Sequence, residues 1–244
     1  MRKFSTYLAG SAIALAALAT SASATSLSFG GFNNGNAGVS TTNSGSNPNR
    51  NVNAGVFTMN NNTAGGSFLA WCLDLYSNLA NSDYTALTGP FTGPSTGANP
   101  NPFSGTNGPV LSNTQLGSIE NLFETNGTAI QALYGGSNNV QSAGFQLALW
   151  EIIYETGAGG YSLGAGTFQS TSGTAGVISA ANTFLGNLGG SIQQDYNLTF
   201  WESDTGTSQN LVSISAVPVP AAGLLLLTGL AGFGVAARRR KNKS

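Results

Sequence analysis

The side chains with the most distinctive chemistry are the single cysteine, Cys72, and a glutamine, Gln146, set in the apolar run Gly144–Tyr154. A carboxamide packed among apolar neighbours must find hydrogen-bond partners or it costs free energy. The cysteine is one of few candidate partners. A free thiol titrates near ~8.5, so the nucleophilic thiolate is scarce at neutral pH and its reactions depend on proximity. There is no histidine, which removes the usual triads, the usual zinc sites and the commonest general base. Asp74, Glu151 and Glu155 are available carboxylates, but no spacing marks a hydrolytic acid/base pair. On residue type alone, Cys72 also reads as a small buried hydrophobe and Gln146 as a core amide bonded to backbone.

The elements that must position these groups follow from periodicity. Gln141 to Glu155 predicts a helix with Phe145, Leu149 and Ile152 on one stripe and Gln146, Trp150 and Ile153 on a second. Ser67 to Tyr76 predicts a buried strand, Leu69, Trp71, Leu73 and Leu75 on one face and Ala70, Cys72 and Asp74 on the other. Residues 25–66 read as short strands around Ser26–Phe29 and Val56–Met59, joined by turns and a long loop near residues 40–50. A disordered arm is the alternative for residues 31–54. Residues 82–110 read as loop. Ser112 and Gln115 form a capping box opening a helix with Leu116, Ile119, Leu122 and Phe123 inward, and Thr128 to Tyr134 adds a turn or two. Gly157, Gly159 and Gly160 lie in a loop without the preceding strand that nucleotide binding requires. Residues 173–188 predict another helix, and Asp195–Trp201 with Leu211–Ala216 a terminal hairpin. This order implies a single α+β domain, an antiparallel β-sheet or sandwich with segregated helices.

Charge is segregated too. Of eight basic residues only Arg50 lies between residues 25 and 216, whereas all nine acidic residues do, leaving that body at about −8. Such a body is a poor ligand for nucleic acid. Residues 1–24 read as an export signal helix: Arg2 and Lys3, then an apolar centre from Leu8 to Ala19, then Ala22-Ser23-Ala24. Residues 217–244 read as a second address. Val217, Pro218, Val219 and Pro220 precede an uncharged stretch from Ala221 to Ala237, then Arg238, Arg239 and Arg240. The stretch and its flank approach the ~20 residues of a transmembrane helix, its basic end cytoplasmic.

These three parts in order resemble the PEP-CTERM sorting signal in its VPLPA-type variant, with Val219 where leucine is usual. The resemblance implies export in a Gram-negative bacterium, transient inner-membrane anchoring, processing by an exosortase-type peptidase, and a final place at the cell surface or outside the cell. A plain membrane anchor is the simpler alternative.

Within residues 25–216, about residues 55–190 carry a second resemblance. Trp71-Cys72-Leu73, followed by Phe145-Gln146-Leu147-Ala148-Leu149-Trp150, is similar to the paired motifs of bacterial surface-adhesin thioester domains of the TQXA type. Trp71 replaces a smaller aromatic or leucine there, and Phe145 stands where threonine is usual. By this resemblance Cys72 supplies the sulfur and Gln146 the acyl group of an internal thioester. Trp71, Phe145, Ala148, Leu149 and Trp150 would wall a pocket that excludes water. With histidine absent, Asp74, Glu151 and Tyr154 are the candidates for moving protons. The implied act is a single covalent capture of an amine-bearing surface target, adhesion rather than enzymatic turnover, with no cofactor or metal. The alternative is a non-covalent structural protein of an exopolysaccharide biofilm matrix, in which the thioester does not form.

Overall fold

The computed structural model describes residues 24–43, 49–93, 99–103, 108–136, 138–156, 160–190 and 196–216. The expected signal segment, apart from Ala24, and the whole sorting tail lie outside the described residues, as do residues 157–159 of the glycine-rich loop. Among the described residues no helix is long and apolar enough to cross a membrane.

Six strands form the larger sheet: β1 (Thr25–Phe32), β4 (Phe57–Asn61), β5 (Ser67–Cys72), β6 (Ser82–Thr88), β8 (Tyr196–Ser203) and β9 (Leu211–Ala216). They pair antiparallel in the order β1-β4-β5-β9-β8-β6, and β6 returns to β1, closing a barrel. Closure leaves no free sheet edge there. The antiparallel pairing is as expected, but the expected sheet or sandwich is here a closed barrel: the chain reaches closure by pairing Thr25–Leu27 with Ser82–Tyr84, a contact that no local pattern encodes. The terminal hairpin forms as expected, with Phe200 opposite Val212.

A second sheet orders β3 (Arg50–Ala54), β2 (Ala37–Asn43) and β7 (Phe168–Gly173). Of these strands, β2 and β3, like β6, fall where loop or unstructured chain was expected, and β7 falls where no element was expected. Their Gly/Asn/Ser/Thr composition hides them. In β2, for example, only Ala37, Val39 and Thr41 turn inward, too sparse an alternation to stand out. The expected strand at residues 67–76 stops at Cys72.

The helices are α1 (Asn113–Thr125), α2 (Gly127–Tyr134), α3 (Asn139–Tyr154) and α4 (Val177–Gly186). Ser112 and Gln115 close the capping box at α1, and the Gln115 Nε2 also donates to the Ile153 carbonyl at 2.7 Å, tying the start of α1 to the end of α3. Every residue of α3 from Ser142 to Ile153 is buried, so it is a central helix rather than a two-sided one. Gly144 allows α4 to approach: a Cβ there would stand 2.6 Å from the Ala180 Cβ. Trp71 of β5 packs 5.1 Å from Phe123 of α1 and 5.4 Å from Phe145 of α3, and Phe145 packs 5.3 Å from Phe184 of α4. One aromatic chain thus joins the barrel to three helices, each pair adding about 0.5–1.5 kcal/mol beyond burial.

Candidate functional site at the end of strand five

The pairing pattern decides where Cys72 points its backbone. On one side of β5, Cys72 sits opposite Leu211 while the Leu73 N–H donates to the Asn210 carbonyl at 2.8 Å. Position 72 is therefore a non-hydrogen-bonded pair with β9, and its own N–H and C=O face the opposite side. Phe57 lies opposite Ala70 on that side, so a continued ladder would bring Gly55 opposite Cys72. Instead β4 begins only at Phe57. Gly55 has φ +154°, and a Cβ on it would lie 3.0 Å from the Gly35 carbonyl oxygen. The barrel wall opens by one residue pair at this point.

Helix α3 fills the opening. The Gln146 Oε1 accepts from the Cys72 N–H at 2.9 Å, and its Nε2 donates to the Cys72 carbonyl at 2.7 Å. The carboxamide thus replaces a neighbouring strand. One turn earlier, the Ser142 Oγ accepts from the Val56 N–H at 2.7 Å. Two turns later, the Tyr154 hydroxyl accepts from the Leu75 N–H at 2.9 Å and donates to the Leu73 carbonyl at 3.3 Å. Ser142, Gln146, Trp150 and Tyr154 recur every four residues, one line down the helix. Three of the four bond directly to the separated strand ends.

The thiol is buried. Cys72 is 3 % exposed, and its Sγ donates to the Asp74 carbonyl at 2.9 Å. Burial pushes the thiol well above its usual range, and the Asp74 carboxylate adds to the effect. The Trp150 indole N–H is near enough to favour the thiolate but falls short of a hydrogen bond. Asp74 is itself buried. Desolvation lifts its carboxyl to about 6, against the opposing donation of the Asn210 N–H to Oδ2 at 2.8 Å. Burial likewise raises the Tyr154 phenol.

Cys72, Gln146 and Trp150 share a cavity of about 370 Å³ with Phe29, Phe32 and Phe57. Those three rings meet edge-on at 5.7, 5.9 and 6.3 Å between centroids. This corrects the expected pocket. Of the five residues proposed for it, only Trp150 lines this cavity. Trp71, Phe145, Ala148 and Leu149 are buried in the core, because positions 145, 148 and 149 turn away from the 142–146–150 line. Glu151 stands apart as well. Its Oε1 accepts from the Ser162 N–H at 2.6 Å, its Oε2 is buried without a partner, and burial raises its carboxyl to about 7. The structure therefore gathers Cys72, Gln146, Trp150, Asp74 and Tyr154 and leaves Glu151 facing another loop. Sequence reasoning missed Ser142, which helical spacing from Gln146 could have revealed, and the phenylalanines of β1 and β4, which no local signal connects to Cys72. Among the described residues no cluster of side chains suited to a metal occurs.

No protein-family profile and no curated protein sequence matches the chain. Among solved structures it is similar to the N-terminal thioester domain of a surface protein from Clostridium perfringens, at 15 % identity and TM-score 0.42, over 66 % of this chain and 89 % of that one. It is also similar to the N-terminal thioester domain of a fibronectin-binding protein from Streptococcus pyogenes, at 13 % identity and TM-score 0.39, over 73 % and 93 %. A third is the N-terminal domain of a pilus tip adhesin from the same species, at 13 % and 0.40, over 76 % and 95 %. Likeness this distant carries no function to the present chain, which must be read from its own geometry.

Proposed function

We propose that residues 25–216 are the exported part of a surface or matrix protein that attaches covalently to amines through a thioester between Cys72 and Gln146. The observation that carries this reading is the two-point clamp of the Gln146 carboxamide on the backbone of Cys72, across 74 residues of sequence. It brings the Gln146 side chain against the backbone of the residue that bears the thiol, which supports the proximity that a scarce thiolate needs. In the closing step the sulfur bonds to the carboxamide carbon, the carbon–nitrogen bond breaks, and the thiol proton leaves with the nitrogen as ammonia. Asp74, with its carboxyl near 6, and the Tyr154 hydroxyl are our candidates for relaying that proton; Glu151, bonded to the Ser162 N–H, is not. In the capture step an amine bonds to the carbonyl carbon, the carbon–sulfur bond breaks, and the sulfur takes the proton that the amine gives up. The freed thiol has no route back, so each molecule reacts once and acts as an adhesin rather than an enzyme.

The flanking segments extend the reading. The basic-apolar start and the Pro-apolar-Arg tail support export, transient anchoring through the tail, and release by an exosortase-type peptidase to the surface of a Gram-negative cell. Peptide mapping of the protein recovered from cells tests this: a mature form that keeps Arg238–Arg240 contradicts processing.

A second reading has an observation of its own. The same two bonds give both the oxygen and the nitrogen of the carboxamide a partner, as in a purely structural glutamine, which suits a non-covalent matrix protein. Intact mass separates the two. The thioester form is one ammonia lighter than the sequence, takes up methylamine at Gln146 and then exposes a titratable thiol. A full-mass protein that ignores methylamine, while Cys72 alkylates once unfolded, leaves only the structural reading.

A further inference from the structure

Arg50 is the one basic residue between positions 25 and 216, and it lines the same cavity as Cys72 and Gln146. It begins β3, an edge strand of the second sheet. Its guanidinium carbon lies 5.6 Å from the Tyr76 ring centroid. Among the described residues no carboxylate lines the cavity, although the body around it carries about −8. The remaining wall includes rings and amides: Phe29 is 40 % exposed, and Asn53, Asn78 and Gln209 also line the cavity.

We infer that this cavity selects a ligand carrying a single carboxylate, bound by Arg50, and that the amine captured at Gln146 is borne by such a ligand rather than by a polycation. The chemical class is an amine with a carboxylate a few bonds away, as in an amino acid or an amino-bearing acidic sugar. The identity of the captured amine rests on the thioester reading; the carboxylate preference does not. A guanidinium recognises a carboxylate through two parallel N–H donors, and it repels an ammonium entering the same space. Beyond a Debye length of about 8 Å the surrounding negative charge is screened at physiological salt, so a lone carboxylate can approach. A dense polyanion would meet that negative surface over its whole length and is disfavoured. The phenylalanine rings and amides suit the apolar and hydroxyl-bearing parts of such a ligand.

Two measurements on the full-length protein test this. The first compares adduct formation by 4-aminobutyrate, butylamine and 1,4-diaminobutane, read by intact mass. Wild type should favour the amino acid over the diamine by about tenfold or more, as expected for one charge contact of ~1.4 kcal/mol. Arg50→Gln should abolish that ratio while methylamine still reacts, and Arg50→Lys should restore part of it. Adducts that form with an unchanged ratio in Arg50→Gln overturn the inference. The second uses Cys72→Ser, which cannot form a thioester, and follows the Trp150 indole N–H resonance during titration with the same three probes. Saturable binding of 4-aminobutyrate alone, lost in the added Arg50→Gln, upholds the carboxylate site even if no thioester forms. Equal response to all three, or none, overturns it.

Discussion

Removing the Gln146 carboxamide should be one of the most damaging single changes to this fold, and the structure says by how much. The experiment belongs in a Cys72→Ser background, where the hydroxyl can still donate to the Asp74 carbonyl and no thioester complicates the comparison. Gln146→Ala there strips partners from two buried backbone groups, the N–H and the C=O of Cys72. Each orphaned group costs about 1–3 kcal/mol. Truncating a side chain that is 1 % exposed also opens a void. Some water from the adjoining cavity offsets part of this, leaving an expected loss of about 3–5 kcal/mol, against a typical total of roughly 5–15 kcal/mol. For a body of this size that lowers Tm on the order of 10 °C. Urea unfolding followed by tryptophan fluorescence gives the free energy directly. Gln146→Met keeps most of the volume and loses only the hydrogen bonds, so it should recover about 1–2 kcal/mol of the deficit. A loss below about 1 kcal/mol for Gln146→Ala would refute the view that the carboxamide stands in for a missing strand.

Other changes follow from the same contacts. Tyr154→Phe removes the hydroxyl that joins Leu73 and Leu75; we expect about 1–3 kcal/mol of destabilisation by chemical unfolding and faster amide exchange at Leu75. Gly144→Ala forces α3 and α4 apart at Ala180 and should cost about 1–3 kcal/mol, measured as a drop in Tm. Glu151 binds its proton more tightly folded than unfolded, with its carboxyl near 7 against an ordinary 4.5. Its contribution is therefore complete below about 4.5 and is lost as pH rises towards 7. Glu151→Gln should stabilise the protein at pH 8 by on the order of 1–3 kcal/mol, have little effect at pH 4, and flatten the stability–pH curve between.

The sequence alone determined whatever depends on neighbours within a turn or two. The capping box of Ser112 and Gln115, the apolar stripes of α3 and the apolar periodicity of β8 and β9 are local patterns that the sequence shows directly. So were the presence of one thiol, the absence of histidine and the retreat of basic charge to the two ends, which together narrowed the chemistry before any contact was known. The singular status of Gln146 was legible as well, as a carboxamide that burial obliges to find partners. Which partners it found was a tertiary matter. β2, β3, β6 and β7 carry too few apolar residues to declare themselves and exist because neighbouring strands complete their hydrogen bonds. Barrel closure depends on β1 meeting β6, more than fifty residues along. The placement of Cys72 depends on β4 turning away at Gly55, which left the backbone of one strand residue facing a helix. The strand pattern put the Cys72 side chain opposite the Trp71 face, but only the register with β9 and the missing pair on β4 show why Gln146 binds that backbone. Periodicity states which face a side chain takes; what waits across from it is settled by chain closure over long separations.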